Sequence, residues 1–196
     1  MTEYGDLDQS DEIEFAVAWR SDRRILKLLN EGVRAGLVWD AFDNYHEHDA
    51  AWASYGLIRT DHVRWQYAPK PRYFTAKQIY RFVRPGFQRA LIEAPADPKD
   101  VFAQWRSPLR NMLLTAFVSR DQKDFTIVGM STIEQDTELR IELKNLSLEG
   151  LGKKLHYFRT SQGENCRRVN AIRIQGSTLI AIIPQNSIFT LTTLDE

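Results

Sequence analysis

The residues best suited to chemistry lie in two short segments near the start of the chain. Glu3 lies in MTEYGD, where the end of a strand is indicated just ahead of a helix. Trp39 and Asp40 begin the second segment, WDAFDNYHEHDAAW, which combines carboxylates, imidazoles and aromatic rings. A carboxylate can act as a nucleophile or transfer a proton, and aromatic faces beside hydrogen-bonding groups suit a sugar ring. By its local pattern alone, Glu3 also fits an ordinary surface glutamate.

A metal site is one alternative for the second segment, because imidazoles and carboxylates cluster there. These residues are Asp40, Asp43, His46, His48 and Asp49. The H-x-H spacing of the two histidines is common, so by itself it indicates metal binding only weakly. Hydrogen bonding to a substrate is the favoured interpretation, with Asp40, Asn44 and His46 as first choices, and scaffolding of the loop is the third.

Two helices and a short strand are predicted around these segments. Residues 11–31 carry apolar side chains at helical spacing behind an acidic start, which predicts a helix. Residues 35–39 form a short apolar run, the pattern of a strand that helices bury on both faces. Residues 72–83 carry a second apolar stripe between prolines and predict a second helix. Glu3 and Trp39 therefore lie at the ends of two predicted strands separated by one helix.

A long stretch from residue 40 to residue 71 has no sustained apolar period. Loops longer than about 15 residues in compact domains are usually functional. The stretch is also rich in aromatic side chains, which can either stack on sugars or pack the loop onto its own domain. Four of these side chains are Trp52, Tyr55, Trp65 and Tyr67. For most of the four, packing is the favoured interpretation.

From about residue 113 the apolar pattern changes to a period of two. Seven short runs follow, from LLTAFVS to SIFTLTT, and turn-like segments such as DQKD and PQN separate them. Short strands at this spacing predict an antiparallel β-sandwich of about seven to eight strands. We therefore predict an α+β chain in two parts, residues 1–86 and residues 87–196.

Composition excludes several classes of protein. Lys plus Arg and Asp plus Glu both number 26, so the formal net charge is zero and nucleic acid is not an expected partner. The chain has no apolar run long enough to span a membrane, and its acidic first residues do not resemble a signal peptide. One cysteine, Cys166, excludes an internal disulfide framework.

The segments MTEYGDLDQ, GLVWDAFDNYHEHDAAWASYGLIRT and YAPKPRYFTAKQIYRFVRPGFQR together resemble the end of clan A glycoside hydrolases. Family 30 and related family 5 enzymes with an appended β-sandwich give the closest likeness. The segments YFRTS and SIFTLTT also resemble the last strands of that sandwich. The resemblance implies that residues 1–86 are the last two strands and helices of a (β/α)8 barrel and that residues 87–196 are the sandwich.

The same resemblance implies roles for single residues. In this clan the seventh barrel strand ends on the nucleophilic glutamate, which TEYG places at Glu3, and the eighth ends on a tryptophan of the sugar subsite, which corresponds to Trp39. Substrate-binding residues are expected at Tyr4, Trp39, Asp40, Asn44 and His46. No cofactor and no metal are implied.

The resemblance also implies that part of the catalytic machinery lies upstream. Retaining glycosidases use two carboxyl groups about 5 to 5.5 Å apart, and the clan's acid/base follows the fourth strand, which has no counterpart here. A (β/α)8 barrel takes about 250 residues. We therefore expect this chain to be a fragment or truncation that is inactive alone. The expected substrate is a carbohydrate, and the full-length relative is expected to be secreted or periplasmic. The alternative is a non-catalytic carbohydrate-binding or interaction module in which the sandwich is the working part.

Overall fold

A computed structural model of the chain describes residues 3–4, 14–46, 51–61, 63–93, 112–146 and 155–195. The chain divides into two compact units, residues 1–77 and residues 78–196, which are called the first and second unit below. The described residues form an α+β chain in which sheet predominates. The domain boundary that the sequence pattern placed between residues 86 and 87 stays a prediction. Within the described ranges, no helix is long and apolar enough to cross a membrane.

The first unit begins with two parallel strands joined through a helix. Strand β1 (Glu3–Tyr4) precedes helix α1 (Glu14–Asn30), and strand β2 (Leu37–Val38) follows it. Parallel strands need a crossover connection, and α1 supplies it. The helix ends at Asn30, and Gly32 follows with a φ of 97°, the left-handed conformation common just after a helix C-terminus, so the predicted helix is confirmed.

The predicted burial of the second strand is wrong. The strand comprises only Leu37 and Val38, and the Leu37 side chain is 68% exposed. Among the described residues, β1 is the only strand that pairs with β2, so the sheet has two strands instead of the continuous sheet that a fully buried strand requires.

The stretch from residue 40 to residue 71 contains two β-hairpins that its sequence did not predict. Strand β3 (Asn44–His46) pairs with β4 (Ala51–Ala53), and β5 (Ile58–Asp61) pairs with β6 (Gln66–Pro69). Strands of three or four residues are too short to establish an alternating pattern. Helix α2 (Pro71–Tyr80) follows directly, with proline at the first helical position, and confirms the second predicted helix.

The second unit consists of two antiparallel sheets with nine strands among the described residues. One sheet has the order β12-β11-β15-β9-β8-β7 and the other β10-β14-β13. The strands are β7 (Gln88–Ala90), β8 (Met112–Val118), β9 (Phe125–Ser131), β10 (Thr137–Glu142), β11 (His156–Ser161), β12 (Glu164–Val169), β13 (Ile172–Gln175), β14 (Thr178–Ile183) and β15 (Ile188–Thr192). All seven predicted runs are strands, and β7 and β12 are additional.

Both sheets of the second unit contribute to one apolar core. Leu114, Phe125 and Phe189 come from the six-stranded sheet, whereas Leu139 and Leu179 come from the three-stranded one. A shared core between two sheets is the arrangement expected of a β-sandwich.

The opposite face of the six-stranded sheet is buried as well. Thr190 Oγ1 donates to the carbonyl oxygen of Gln78 at 2.8 Å, and Thr126 Oγ1 donates to that of Phe82 at 2.8 Å. Because both faces are covered, β9 and β15 are buried along their whole length.

Candidate functional site

The two strands that carry the predicted catalytic and sugar-subsite residues lie side by side. The parallel register pairs Glu3 with Leu37 and Tyr4 with Val38. Trp39 therefore follows directly on the residue paired with Tyr4. The carboxyl ends of both strands meet at one edge of the two-stranded sheet, as the predicted site requires.

Trp39 and Asp40 form the turn that leaves β2. The peptide bond between them is cis, and the Trp39 side chain is 46% exposed. A half-exposed indole has a face available for stacking while the rest of the ring is held by the protein.

The Asp40 carboxylate is engaged in local hydrogen bonds. One oxygen accepts from the backbone N–H of Ala41, and the other accepts from Asn44 Nδ2 at 2.7 Å. The Asn44 amide is thereby oriented, and its Oδ1 is buried without a hydrogen-bond partner among the described residues. Asn44 Oδ1 is thus a buried acceptor without a described partner, five positions after Trp39, whereas Asp40 mainly shapes the turn.

A buried ion pair holds the segment that follows this turn. Lys70 Nζ lies 2.8 Å from Asp43 Oδ1 and 2.6 Å from the carbonyl oxygen of Ser54, and the two charged side chains are 2% and 7% exposed. Asp43 Oδ1 also accepts from the backbone N–H of Gly56 at 2.9 Å. Buried charges persist only when they are paired and hydrogen-bonded, and both conditions are met here.

Gly56 permits this arrangement because the backbone passes close to it. A Cβ at position 56 would lie 2.1 Å from the carbonyl carbon of Phe42 and 2.3 Å from the backbone nitrogen of Asp43. Asp43 N also donates to Ile58 O at 2.9 Å. These contacts hold the backbone of Phe42 and Asp43 against Gly56 and Ile58.

The metal interpretation gains no support from this geometry. Asp43, one of its proposed ligands, is paired with the Lys70 ammonium. Among the described residues, no group of three or more His, Cys, Asp or Glu is placed to hold a metal ion. His48 and Asp49 lie outside the described residues. His46 is the last residue of β3, where its backbone pairs with Ala51.

The expected packing role of the aromatic residues is wrong for two of them. The side chains of Trp65 and Tyr67 are 77% and 63% exposed, at the tip and the second strand of the β5–β6 hairpin. Asp61 Oδ1 accepts from the backbone N–H groups of Val63 and Arg64 at 3.1 and 2.9 Å and so stabilises the turn. A turn fixed in this way presents aromatic side chains to solvent without needing them for packing. The Trp52 side chain lies outside the described residues.

One ionisable residue of the first unit was not among the sequence candidates. Asp22 on α1 is only 2% exposed, and desolvation by burial raises the pKa of its carboxyl from 3.8 to about 7. Its position was detectable, since it lies one turn after Ala18 and one turn before Leu26, both fully buried. An acidic residue on the apolar stripe of a helix was the available signal.

Comparison with known proteins shows a likeness of fold. No protein-family model matches the chain, and no curated protein matches it by sequence. Among solved structures, a glycoside hydrolase family 30 subfamily 8 xylanase from Clostridium acetobutylicum matches 98% of this chain and 41% of its own, with a TM-score of 0.70 and 15% identity.

Two further structures give the same result. A family 30 endoxylanase from Clostridium papyrosolvens C71 matches over 98% of this chain and 40% of its own, with a TM-score of 0.67 and 18% identity. The catalytic domain of family 30 xylanase C from Talaromyces cellulolyticus matches over 97% and 39%, with a TM-score of 0.71 and 16% identity. The chain thus spans about two fifths of the length of these structures. In fold, it resembles the C-terminal part of family 30 glycoside hydrolases.

Proposed function

We propose that this chain is the C-terminal part of a retaining glycoside hydrolase that acts on a polysaccharide or oligosaccharide. The parallel pairing of β1 with β2 carries the proposal, because it sets the strand of Glu3 beside the strand end of Trp39. In (β/α)8 enzymes, catalytic residues lie where neighbouring strands end at their carboxyl edge. The fold likeness to family 30 xylanases supports the same interpretation.

In the proposed reaction, the Glu3 carboxylate attacks the anomeric carbon and forms a covalent glycosyl-enzyme. A carboxylic acid from the upstream part of the barrel protonates the leaving oxygen, and the same group then activates the water that hydrolyses the intermediate. Trp39 stacks on the sugar ring, and Asn44 Oδ1 accepts a hydrogen bond from a sugar hydroxyl. Tyr4 and His46 complete the proposed substrate-binding set with Asp40, which orients Asn44.

The proposal requires further barrel strands beside β1 and β2. Several large apolar side chains of the first unit are exposed: Leu37, Trp39, Phe42 and Tyr45, at 46–68%. Exposed apolar groups clustered in sequence around one strand end fit a surface that other polypeptide covers in the complete enzyme. We therefore propose that the upstream barrel portion covers Leu37, and that Trp39 stays open to substrate.

The deciding experiment expresses the chain together with any coding sequence that precedes Met1 in frame. Hydrolysis of xylan and of aryl glycosides is measured for this protein, for Glu3→Gln, and for Glu31→Gln, an exposed control at the end of α1. Glu3→Gln should lower kcat by at least about 10³-fold, as expected when a nucleophile is removed, whereas Glu31→Gln should leave it unchanged. A mechanism-based fluoroglycoside should label Glu3, as peptide mass spectrometry can show. Full activity of Glu3→Gln, or an unrelated upstream sequence, would overturn the proposal.

The chain as it stands allows a second measurement. Binding of xylo-oligosaccharides and of β-1,6-glucan oligosaccharides is measured by titration calorimetry for the wild type and for Trp39→Ala. Loss of the stacking surface should weaken binding about tenfold, equivalent to about 1.4 kcal/mol. Binding that survives both Trp39→Ala and Glu3→Gln unchanged would instead favour the non-catalytic module, with the sandwich as the binding part.

A further inference from the structure

The segment after the Trp39–Asp40 turn runs beside the β5–β6 hairpin and extends its sheet. Asp43 N donates to the carbonyl oxygen of Ile58 at 2.9 Å, and Phe42 forms a parallel β-bridge with Ile58. On its other side, Ile58 pairs with Pro69 of β6. Residues paired across neighbouring strands have their side chains on the same face of a sheet. Phe42, Ile58 and Pro69 therefore share one face.

The same face continues to the phenol of Tyr67. Thr60 is paired with Tyr67 and lies two residues after Ile58. Because side chains alternate between the two faces along a strand, this second pair lies on the same face as Ile58. Thr60 Oγ1 also donates to the carbonyl oxygen of Asp43 at 2.6 Å, which ties the hairpin to the segment after the turn. With about 4.8 Å between strands and about 3.3 Å per residue, the Cα atoms of Phe42 and Tyr67 lie roughly 12 Å apart.

This surface, called the hairpin face below, exposes aromatic rings among uncharged neighbours. Its five residues are Phe42, Ile58, Thr60, Tyr67 and Pro69. The side chain of Phe42 is 54% exposed and that of Tyr67 is 63% exposed. The five side chains include no carboxylate, ammonium or guanidinium, and Arg59 lies on the opposite face by the same alternation. The hairpin face therefore suits a neutral ligand with apolar surface better than an anionic one.

Trp65 adds a third aromatic ring at the tip of the hairpin. Its side chain is 77% exposed, and its φ of 54° lies in the left-handed region, which a bulky residue rarely adopts. The turn is held by Asp61 Oδ1, which accepts from the backbone N–H groups of Val63 and Arg64. The indole is therefore not needed to form the turn, and its faces are open to a ligand.

A glycan is the favoured ligand because the hairpin face begins at the proposed sugar subsite. Leu57 N donates to the carbonyl oxygen of Asp40 at 2.8 Å, so β5 starts beside the Trp39–Asp40 turn. A sugar chain that stacks on Trp39 can thus continue over Phe42 toward the hairpin.

We propose that the hairpin face and Trp65 form a second carbohydrate-binding surface, which holds sugar rings of a polysaccharide beyond the rings bound at Trp39. Aromatic rings stack on the apolar faces of pyranoses, and hydroxyl groups such as those of Thr60 and Tyr67 form hydrogen bonds with the sugar hydroxyls. The surface makes a polymer, and not a short oligosaccharide, the preferred substrate. This preference rests on the proposed function, whereas glycan binding by the hairpin does not.

Titration calorimetry of the full chain with soluble xylan and xylobiose, and with β-1,6-glucan and its disaccharide, tests the proposal. Affinity should rise from disaccharide to polymer, because only the polymer reaches both surfaces. Trp65→Ser should lower affinity for the polymer about tenfold and leave that for the disaccharide unchanged. Trp65→Phe keeps a ring and should retain most of the affinity. Val63→Ser is the matched control, since Val63 is also 77% exposed in the same turn but has no ring.

Oxidation by N-bromosuccinimide gives a second measurement, on the wild type, that does not depend on how a variant folds. Peptide mass spectrometry follows the oxidation of Trp65. Soluble xylan or β-1,6-glucan should slow this oxidation, whereas polyethylene glycol, a neutral polymer without sugar rings, should not. Lack of protection by both glycans would leave the exposed rings to a protein partner and overturn the proposal. Equal losses of polymer affinity for Trp65→Ser and Val63→Ser, or no loss for Trp65→Ser, would overturn it as well.

The same titrations separate this surface from the proposed catalytic subsite. If Trp65→Ser weakens polymer binding while Trp39→Ala leaves the affinity for polymer and disaccharide unchanged, the proposed subsite fails and the hairpin surface stands. If Trp39→Ala weakens the binding of both ligands while Trp65→Ser weakens neither, the hairpin surface fails and the proposed subsite stands.

Discussion

The two units bury different kinds of side chain. The second unit has an apolar core to which both sheets contribute, and hydroxyls on the other face of its large sheet, such as Thr126 and Thr192, bond to each other. The first unit buries carboxylate and ammonium groups, with Asp22 and Lys70 each 2% exposed and Asp43 7% exposed, whereas the ionisable groups buried in the second unit are His156, Tyr157 and Cys166. Apolar burial stabilises through area removed from water, whereas buried charge must be held by specific bonds. Among the described residues, the second unit thus relies mainly on its apolar core, and the buried carboxylates and the buried ammonium lie in the first unit.

The units also differ in what they expose. Most of the large exposed hydrophobic side chains among the described residues belong to the first unit, although it is the smaller of the two. Exposed apolar groups concentrated in one unit fit the proposal that substrate or further polypeptide covers part of that surface. They are Leu37, Trp39, Phe42, Tyr45, Val63, Trp65 and Tyr67.

The largest stability effect is expected from Lys70→Met. The substitution leaves the Asp43 carboxylate buried, with the Gly56 N–H still bonded but no positive charge beside it. Breaking a buried pair by removing one partner costs about 3–5 kcal/mol. Urea denaturation of the full chain, followed by tryptophan fluorescence, measures the loss.

A matched surface substitution gives the reference for that measurement. Lys123→Met removes a side chain that is 80% exposed and lies 3.8 Å from Asp121, so its cost should stay below about 1 kcal/mol. Adding Asp43→Asn to Lys70→Met should recover part of the stability, because the unpaired charge is removed. Equal losses of unfolding free energy for Lys70→Met and Lys123→Met would show that the buried charge pair of the first unit contributes no more than a surface pair.

The second prediction concerns the pH dependence that Asp22 confers. Its folded-state pKa of about 7 lies above the unfolded value of 3.8, so the neutral acid favours the folded state. This contribution is full below pH 3.8, declines between pH 3.8 and about 7, and is absent above that range, with a slope of about 1.4 kcal/mol per pH unit. Asp22→Asn should lose this slope. Stability curves of the two proteins that run parallel from pH 4 to pH 7 would contradict the prediction.

The helices and most strands could be predicted because their signals are local. Helix α1 combines an acidic start, an apolar stripe and Gly32, and the strands of the second unit repeat an alternating pattern. The ion pair of the first unit could not be predicted, because Asp43 and Lys70 lie 27 positions apart and neither belongs to a periodic segment. Only the fold brings the ammonium to the carboxylate.

Predicted site residues show the same limit. Trp39 and Asp40 were recognisable because a short apolar run ends there. The exposure of Leu37 and Trp65 could not be predicted in the same way, because it depends on which elements of the fold cover these side chains. Asp22 lay within reach of sequence reasoning, because an acidic residue on an otherwise buried helical stripe conflicts with the local pattern, and such conflicts mark functional or strained positions.

Gly129→Ala tests how closely the core of the second unit is packed. A Cβ at this position in β9 would lie 2.2 Å from Phe189 Cζ and 2.5 Å from Leu114 Cδ2, both in the apolar core. Overpacking of this kind costs about 1–3 kcal/mol, measurable as a lower urea midpoint. Gly163→Ala is the control, since nothing lies within 4 Å of its added methyl group. Equal urea midpoints for both variants would mean that the core accommodates the added methyl group without loss of stability.

The smallest stability effect is expected from Trp65→Ser, although tryptophan is the largest side chain in the protein. Its ring is 77% exposed, and the turn that carries it is held by Asp61 accepting from two backbone N–H groups, so folding does not depend on the ring. The free energy of unfolding should change by less than about 0.5 kcal/mol. Oligosaccharide affinity, measured on the same protein, then separates the two roles of an aromatic side chain. A loss of stability above about 1 kcal/mol would instead support the packing role that the sequence favoured for Trp65. It would also weaken the contrast between a first unit with exposed aromatic side chains and a second unit with a buried core.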